Sequence, residues 1–446
     1  MSFITDEQTL NDLNIFGKRG GTSVYELFNK SQTQGGAEML GQMFRYPLSE
    51  INSINYRSSI IQYFRESDIE FPCRGELFAN IEQYLSNTDE RSRLTGETNS
   101  MERGINKLIT GDTEFQQLAG GVSALIELLH CTRQFIGDIR MQAPGSPYRT
   151  ELEQMRTILE DNHWKAVWET KPGRKPGYST IVSLDRIFRF VKRDQLKKLM
   201  GLLYQLDVYL AVAGVAEEMD LTFPLAQAPG KNGLVLEDIR HPLLPVAVSN
   251  SIRIDPRQNI VFLTGANMAG KSTFMKTVGI ALYLAHMGFP VTARQMEFPV
   301  LDGLLSTINL PDNLSMGYSH FYGEVLRLKK VVNEMSASKK LFIIFDELFR
   351  GTNVKDAQEA TVALLDAFSK RKDCIFLIST HIVEAGEALQ KMNDSIQYTF
   401  LPTRMEGNHP VYTYKLEPGI TEDRHGMLII NNEGILDIIR NRNNKQ

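Results

Sequence analysis

The chain has 446 residues, of which 42% are hydrophobic and 23% charged, and its formal net charge is −4. This composition is typical of a globular protein with two or three domains, and it excludes a disordered chain or one with a global basic field for nucleic acid. The start, MSFITDEQTL, lacks the basic and apolar segments of a secretory signal, and no apolar run approaches the roughly 20 residues of a membrane span.

Three cysteines, Cys73, Cys131 and Cys374, are widely spaced along the chain. Their spacing indicates neither a disulfide framework nor a metal-binding pair. Because reduced cysteines are typical of a reducing compartment, we predict a cytoplasmic protein that has no membrane partner.

Residues 1–225 are predicted to form a mostly helical core and lever domain. Apolar residues recur at helical spacing in runs that include Ser49–Phe64, Val122–Ile139 and Leu184–Met219. The last run contains no proline, and at 1.5 Å per residue it predicts a single lever helix of roughly 50 Å. Prolines and glycines between Thr222 and Pro245 then break the helical pattern and mark the domain boundary.

Residues 226–446 are predicted to form an α/β P-loop ATPase domain, in which apolar strands alternate with helices. Uniformly apolar runs such as LFIIF and CIFLIS are typical of parallel strands that are covered on both faces. The predicted strands are Gly233–Leu236, Ile260–Leu263, Gly303–Ile308, Leu341–Phe345 and Ile375–Ser379.

The stretch IVFLTGANMAGKSTFMK, residues 260–276, places a glycine-containing loop between a predicted strand and a predicted helix. This is the G-x-x-x-x-G-K-S/T pattern in the setting that a phosphate-binding loop requires, which argues against a chance match. Backbone N–H groups and the lysine hold the phosphates of ATP, and the serine hydroxyl coordinates Mg²⁺. The predicted ATP-binding residues here are Gly265, Asn267, Met268, Ala269, Gly270, Lys271, Ser272 and Thr273.

Two acidic residues, Asp346 and Glu347, follow the apolar strand LFIIF. In P-loop enzymes the first acid holds the Mg²⁺ shell and a neighbouring acid can polarise the attacking water, so we assign these roles to Asp346 and Glu347, respectively. His381 follows the next strand, at the sheet edge where ligands bind, and is predicted to contact the γ-phosphate. The alternatives are an acidic helix start for the pair and a simple helix cap for the histidine.

Three motifs together resemble the ATPase of the MutS family of DNA mismatch-repair proteins. They are TGANMAGKST in the loop, DELFRGT followed by Asp356, and STH after the last predicted strand. The family's loop reads close to GPNMGGKST, so Ala266 and Ala269 are substitutions, and Asn353 replaces a serine of the acidic motif. The similarity covers nearly the whole chain and is strongest from Arg240 to Leu389. It implies an ABC-type P-loop ATPase preceded by a helical core and lever.

The resemblance also implies a homodimer in which each subunit completes the ATP site of the other. Ser319 occupies the position of a family serine that contacts the partner's γ-phosphate. Tyr318 and His320 depart from the family pattern, and a chance serine on a helix face is the alternative interpretation. Gly426 and Gly434 follow the family's short C-terminal dimerisation segment.

Tyr414 is a candidate for binding the adenine base. It falls where the family has a histidine that stacks on the base, and an aromatic ring can serve equally well. The phenylalanine that the family has near Ala247 is missing. Tyr414 can equally be an ordinary strand aromatic within VYTYKL.

The stretch from Asn14 to Arg57 resembles the start of the family's core domain. A mismatch-repair MutS has two further domains before this core, including one whose Phe-x-Glu wedges into the mispair. Only about 13 residues precede the core-like stretch here, so the expectation is a protein without mismatch recognition and with a reduced clamp. Phe64-Arg65-Glu66 spells the motif, but its place inside a helical run indicates coincidence.

A basic stretch is the candidate for DNA contact. Nine basic residues against two acidic ones lie between Lys171 and Lys198, and the loop KPGRKPGYST can present cations to phosphates. A solvated helix face next to a surface loop is the alternative. The predicted DNA contacts are Arg174, Lys175, Arg186 and Arg189.

The leading functional prediction is an ATP-hydrolysing, dimeric DNA-binding protein that clamps or releases a DNA shape, such as a junction, without reading mismatches. The alternative is an ATP-gated clamp on a non-DNA partner, such as a ribosome or a protein complex. A scaffold that never turns over its nucleotide is a third reading, and the presence of Glu347 and His381 argues against it.

Overall fold

The computed structural model describes residues 3–17, 21–90, 111–142, 146–228, 233–255, 257–308, 320–406 and 409–421. The chain divides into two compact units. The first consists of Met1–Leu27, Tyr46–Ser58 and Met219–Gln446, and the second of Phe28–Arg45 and Ser59–Glu218. A domain boundary at residue 225 stays a prediction, but two N-terminal stretches group with the C-terminal half rather than with the helical unit.

In the described residues before Met219 the long elements are all helices, so the predicted helical region is confirmed. The helices within Phe28–Arg45 and Ser59–Glu218 supply the apolar core of the second unit through their amphipathic faces. In chain order the helices are α1 (Glu7–Asp12), α2 (Val24–Phe28), α3 (Gln34–Arg45), α4 (Ile51–Arg65), α5 (Glu76–Ser86), α6 (Gly111–Gln142), α7 (Arg149–Leu159), α8 (Lys165–Glu169), α9 (Tyr178–Asp185) and α10 (Arg193–Glu218).

The predicted single lever helix from Leu184 to Met219 is interrupted, so that expectation is wrong. A π-helical turn, Arg186–Val191, separates α9 from α10, and the N–H of Lys192 donates to the carbonyl oxygen of Ile187 at 2.7 Å. A π-turn contains one more residue than an α-helical turn. The spacing of apolar residues in the sequence does not reveal that extra residue, so the pattern predicts one continuous helix.

Helix α10 is long and apolar enough, by length and composition alone, to cross a membrane. The expectation that no apolar run approaches that length therefore fails for this helix. In the structure 61% of its most apolar window is buried, as in the core helix of a globular protein. Its buried Asp207 accepts hydrogen bonds from the N–H groups of Gln32 and Thr33, at 2.9 and 2.8 Å, just before α3 begins.

Cys73 and Cys131 form a disulfide, with their Cα atoms 6.0 Å apart, which corrects the expectation that the cysteines are unpaired. Helices α5 and α6 pack together and bring the two residues into contact across 58 positions of sequence, a proximity that spacing alone does not reveal. Cys374 is free and buried, and burial raises the pKa of its thiol to about 11. Disulfides are uncommon in a reducing cytoplasm, so the cytoplasmic location stays a prediction.

The first unit is an α/β domain, as predicted. Its strands are β1 (Leu225–Gln227), β2 (Leu234–Ile239), β3 (Asn250–Ile254), β4 (Ile260–Gly265), β5 (Gln295–Pro299), β6 (Gly303–Thr307), β7 (Leu341–Phe345), β8 (Ile375–Ser379), β9 (Ile396–Leu401), β10 (Thr403–Glu406), β11 (His409–Tyr412) and β12 (Glu417–Pro418). Its longer helices are α11 (Lys271–His286), α12 (His320–Ser336), α13 (Val354–Ser369) and α14 (Val383–Gln390).

A six-stranded sheet in the order β12-β9-β4-β8-β7-β6 carries the site. Its strands from β9 to β6 are parallel, with Ile260 in register with Phe376 on one side and Ile396 on the other. Strand β4 is buried along its whole length, which explains its unbroken apolar run. The carboxyl ends of β4, β7 and β8 therefore meet at one edge of the sheet.

The N-terminal segment is tied to β6 and α12 by polar contacts. Asp6 pairs with Arg327 and Lys330, and Asp12 accepts from the hydroxyl of Ser306 at 2.7 Å. Burial raises the pKa of the Asp6 carboxyl, but the hydrogen bonds from the two cations more than offset it and hold the pKa well below its usual range. These contacts account for the grouping of the first residues with the C-terminal half.

Candidate nucleotide-binding site

The loop between β4 and α11 has the backbone of a phosphate-binding loop. Gly265 and Gly270 have φ values of +147° and +99°, which residues with a side chain rarely adopt, and Gly270 caps α11. Met268 also lies in the left-handed region, at +73°, with 79% of its surface exposed. Because the first N–H groups of a helix have no partner within it, the start of α11 offers donors that can bind an anion such as a phosphate.

Lys271 is 5% exposed, and its ammonium group is held by the loop itself. Its Nζ donates to the carbonyl oxygens of Gly265 at 2.9 Å and Ala266 at 3.2 Å. Burial lowers the pKa of this lysine, and the carboxylates of Glu347 and Asp346 oppose that shift. A phosphate is a stronger acceptor than a carbonyl, so the lysine is poised to exchange these bonds for a nucleotide.

The two predicted acids lie where β7 ends, beside the end of β8. The buried hydroxyl of Ser379 donates to the carboxylate of Asp346 and accepts from the N–H of Glu347, the latter at 3.0 Å. One side chain from the neighbouring strand therefore orients the carboxylate of Asp346 and holds the backbone of Glu347. Sequence reasoning missed Ser379, although its place at the end of the strand CIFLIS, parallel to the acidic strand, pointed to it.

Glu347 lies in a strained turn and is paired with Arg350. Glu347 and Phe349 have φ values of +53° and +62°, which non-glycine residues adopt only where the surroundings impose them. The Oε2 of Glu347 is 3.3 Å from a guanidinium nitrogen of Arg350, which is itself largely exposed. Arg350 can compete with water for the carboxylate of Glu347 in this state.

A cavity of about 690 Å³ joins most of the predicted nucleotide residues. Glu347 and Tyr414 lie on its wall, and the apolar residues Val246, Ala247 and Val248 line another part of it. The predicted loop residues that line the cavity are Asn267, Met268, Ala269, Gly270, Lys271, Ser272 and Thr273.

Three of the predicted nucleotide-site residues that the structure describes do not line this cavity. Gly265 supports Lys271 from behind the loop, and Asp346 sits next to Glu347 on the strand side. His381 is exposed and does not line the cavity, although it follows β8 at the correct edge of the sheet. Ser319 lies outside the described residues.

The donors at this edge fit Mg²⁺. The exposed Ser272 hydroxyl at the start of α11 and the oriented carboxylate of Asp346 are hard oxygen donors. Among the described residues, no group of three or more His, Cys, Asp or Glu side chains could hold a metal on its own.

The predicted DNA contacts have different surroundings. Arg174 and Lys175 are exposed on the turn before α9, and Arg186 is exposed on the π-turn. Arg189 is 2% exposed and is paired with the buried Asp185 at 2.6 Å, so its assignment as a DNA contact is wrong. The π-turn directs Arg189 into the unit's core, an orientation that a run of basic residues does not reveal.

Comparison with known proteins matches the two halves of the chain to two domains of one family. Residues 8–213 match MutS domain III, and residues 261–445 match MutS domain V, the family's ATPase domain. The chain is 23% identical to the DNA mismatch repair protein MutS of Pseudothermotoga lettingae, over 99% of this chain and 66% of that protein. It is 28% identical to the protein of the same name from Streptococcus sanguinis, over 94% of this chain and 59% of that protein.

The chain thus spans at most about two thirds of the length of these curated relatives. The domain III match covers the helical part of the chain, including most of the two N-terminal stretches that group with the α/β unit, and the loop and the acids described above lie within the domain V match. With both domains matched along nearly the whole chain, the protein belongs to the MutS family and carries its ATPase domain.

Proposed function

We propose that this protein is an ATP-dependent, dimeric DNA-binding protein that uses hydrolysis to clamp or release DNA structures and does not recognise mismatches. The observation that supports it best is that the loop lysine, Lys271, and the acid Glu347 line one cavity, with Asp346 adjoining Glu347 at the end of β7. The Phe64-Arg65-Glu66 triplet does not serve as a mismatch wedge, because Phe64 is 3% exposed and its ring packs against that of Tyr148, with the ring centroids 5.0 Å apart.

Each residue at the sheet edge has a proposed role in hydrolysis. Lys271 holds the β- and γ-phosphates, and Ser272 and Asp346 would hold a Mg²⁺ ion, which would neutralise developing charge on the phosphates. Glu347 polarises the attacking water once Arg350 releases it. His381 reaches the γ-phosphate from the neighbouring strand end.

The base of ATP is proposed to lie between Tyr414 and the apolar segment Val246–Val248. Tyr414 is 44% exposed and lines the cavity, so its ring face is free to stack. The aliphatic side chains of the segment take the place of the phenylalanine that the family has near Ala247.

Ser319 is proposed to complete the partner's site, which predicts complementation between two inactive variants. Ser319→Ala and Lys271→Ala are each expected to lose most ATPase activity. In a mixed dimer one site carries both defects and the other carries neither, so mixing should restore part of the activity. The measurement is phosphate release against mixing ratio, with subunit exchange followed by a tag on one variant.

A mixture that stays inactive while its subunits exchange would contradict the trans assignment. Full activity per subunit at dilutions where the protein is monomeric would remove the dimer from the mechanism. Both results can be distinguished from a failure of ATP binding, because Ser319→Ala should leave the affinity for ATP unchanged.

DNA binding is tested by retention of linear, mismatched and four-way DNA on filters, with and without ATP. We expect the four-way junction to bind best, equal affinity for matched and G·T duplexes, and a steep loss of affinity with salt because binding rests on phosphate contacts. Replacing Arg174 and Lys175 by alanine should weaken all DNA binding and leave the basal ATPase unchanged.

The charge-matched control is the pair Lys370→Ala and Lys391→Ala, two exposed cations of the α/β unit. If both pairs weaken binding equally, the basic turn is not a specific contact. A several-fold preference for the G·T duplex would overturn the absence of mismatch recognition. No retention of any of the three DNAs would favour a non-DNA partner, such as a ribosome or a protein complex.

A further inference from the structure

Asn250 connects two walls of the nucleotide cavity. It begins β3, is 9% exposed, and its Nδ2 donates to the carbonyl oxygen of Tyr414 at 2.9 Å. Its Oδ1 accepts from the N–H of Leu416 at 2.7 Å. One amide side chain thus satisfies backbone groups on both sides of Lys415 and holds the course of the chain through Tyr414.

Tyr414 depends on such an anchor. Its φ is +54°, in the left-handed region that a tyrosine adopts only when its surroundings require it. Its ring lies against the phosphate-binding loop, because a Cβ added to Gly270 would be 3.1 Å from the Cδ1 of Tyr414. The direction of the ring is therefore set by the backbone that Asn250 holds.

The same residue adjoins the opposite wall. The apolar segment Val246–Val248 lies just before Asn250 in the chain, and the Nδ2 of Asn250 is 3.4 Å from the carbonyl oxygen of Val248. The side chain of Asn250 thus fixes the distance between Tyr414 and the segment Val246–Val248.

We propose that Asn250 is a positioning residue for the base of ATP and acts through Tyr414. The proposal rests on the base-stacking role proposed for Tyr414. Loss of the hydrogen bonds from Asn250 to Tyr414 and Leu416 allows the backbone of Tyr414 to leave its left-handed conformation. The ring of Tyr414 then moves away from Gly270. Asn250 lines the same cavity as the loop, but its side-chain hydrogen bonds among the described residues go to Tyr414, Leu416 and Val248, so binding of the phosphates by Lys271 and the loop should be unaffected.

The test compares ATP with inorganic tripolyphosphate, which has the three phosphates and no base, for the full-length protein. Tyr414→Ala should weaken ATP binding roughly 5- to 100-fold, the range that loss of base stacking on an aromatic covers. Asn250→Ala should weaken it at least ~5-fold, with a change of less than about twofold for tripolyphosphate. The double variant should bind ATP no more weakly than Tyr414→Ala.

Asn259→Ala is the matched control, since Asn259 is also buried and donates to the carbonyl oxygens of Arg371 and Cys374, away from the cavity. It should leave the ratio of the two affinities unchanged. If Asn250→Ala does not fold, Asn250→Asp keeps the shape and the acceptor and removes the donor to Tyr414.

Four results would overturn the proposal. Equal loss for ATP and tripolyphosphate would place the effect on the loop, and independent effects of the Asn250 and Tyr414 substitutions would show that Asn250 does not act through the ring. If Tyr414→Ala loses ATP affinity and the Asn250 variants do not, the positioning role of Asn250 is refuted while the base site at Tyr414 stands. If neither Tyr414→Ala nor the Asn250 variants lose ATP affinity, the base site at Tyr414 is refuted as well.

Discussion

Glu347→Gln is expected to bind ATP normally but to hydrolyse it at least ~100-fold more slowly, because the amide cannot take up a proton from the attacking water. The substitution keeps the size of the side chain and the N–H that bonds to Ser379, so the turn should persist. Lys271→Ala, in contrast, is expected to lose ATP binding, because it removes the only side-chain cation that lines the cavity within the loop.

Single-turnover hydrolysis and equilibrium binding of ATP separate the two effects. Glu359→Gln, an exposed glutamate of α13 away from the cavity, is the control for loss of a carboxylate and should behave as the parent. Hydrolysis by Glu347→Gln at the parent's rate would remove Glu347 from the role of activating water. Retained ATP affinity in Lys271→Ala would move the phosphate site away from this loop.

Arg189→Ala is expected to lower the free energy of unfolding of the helical unit by about 3–5 kcal/mol, because it leaves the buried carboxylate of Asp185 without its cation. The side chains of Arg189 and Asp185 are 0% and 1% exposed, and the hydroxyl of Tyr84 also donates to Asp185, at 2.7 Å. Burial and the neighbouring Asp185 both raise the pKa of Tyr84, so the phenol stays a neutral donor.

Arg186→Ala is the matched control, because Arg186 lies on the same π-turn and is exposed. Its effect should stay within about 0.5 kcal/mol, as for most surface substitutions. The measurement is urea unfolding followed by circular dichroism, with the helical unit's transition analysed separately where two transitions occur. A small effect of Arg189→Ala, close to that of Arg186→Ala, would contradict the buried ion pair.

Local sequence patterns predicted the nucleotide loop and its setting well. The apolar run of β4, the glycines at 265 and 270 and the helix that begins at Lys271 are each determined by neighbouring residues. The same holds for the strands β7 and β8, since a strand buried on both faces must be apolar at every position. Strand β9 was not predicted, although it pairs with β4, because polar residues alternate within IQYTFL.

Which residues meet across the chain was decided by the tertiary structure. The amide of Asn250 holds the turn at Tyr414 across 164 positions, and the hydroxyl of Ser379 orients Asp346 across 33. Such contacts depend on strand order and on the direction of a turn, and neither leaves a periodic signal in the sequence.

The sequence by itself determined the family's chemistry, because the loop and the acidic strand are contiguous motifs whose local conformation follows from their own residues. The tertiary structure decided which cations are available, how the acids are oriented and where the N-terminal segment belongs. Arg186 and Arg189 are three residues apart, yet one faces solvent and the other is buried against Asp185. The reason is physical: burial and pairing are properties of the packed chain, and an added residue in a helix redirects the side chains around it.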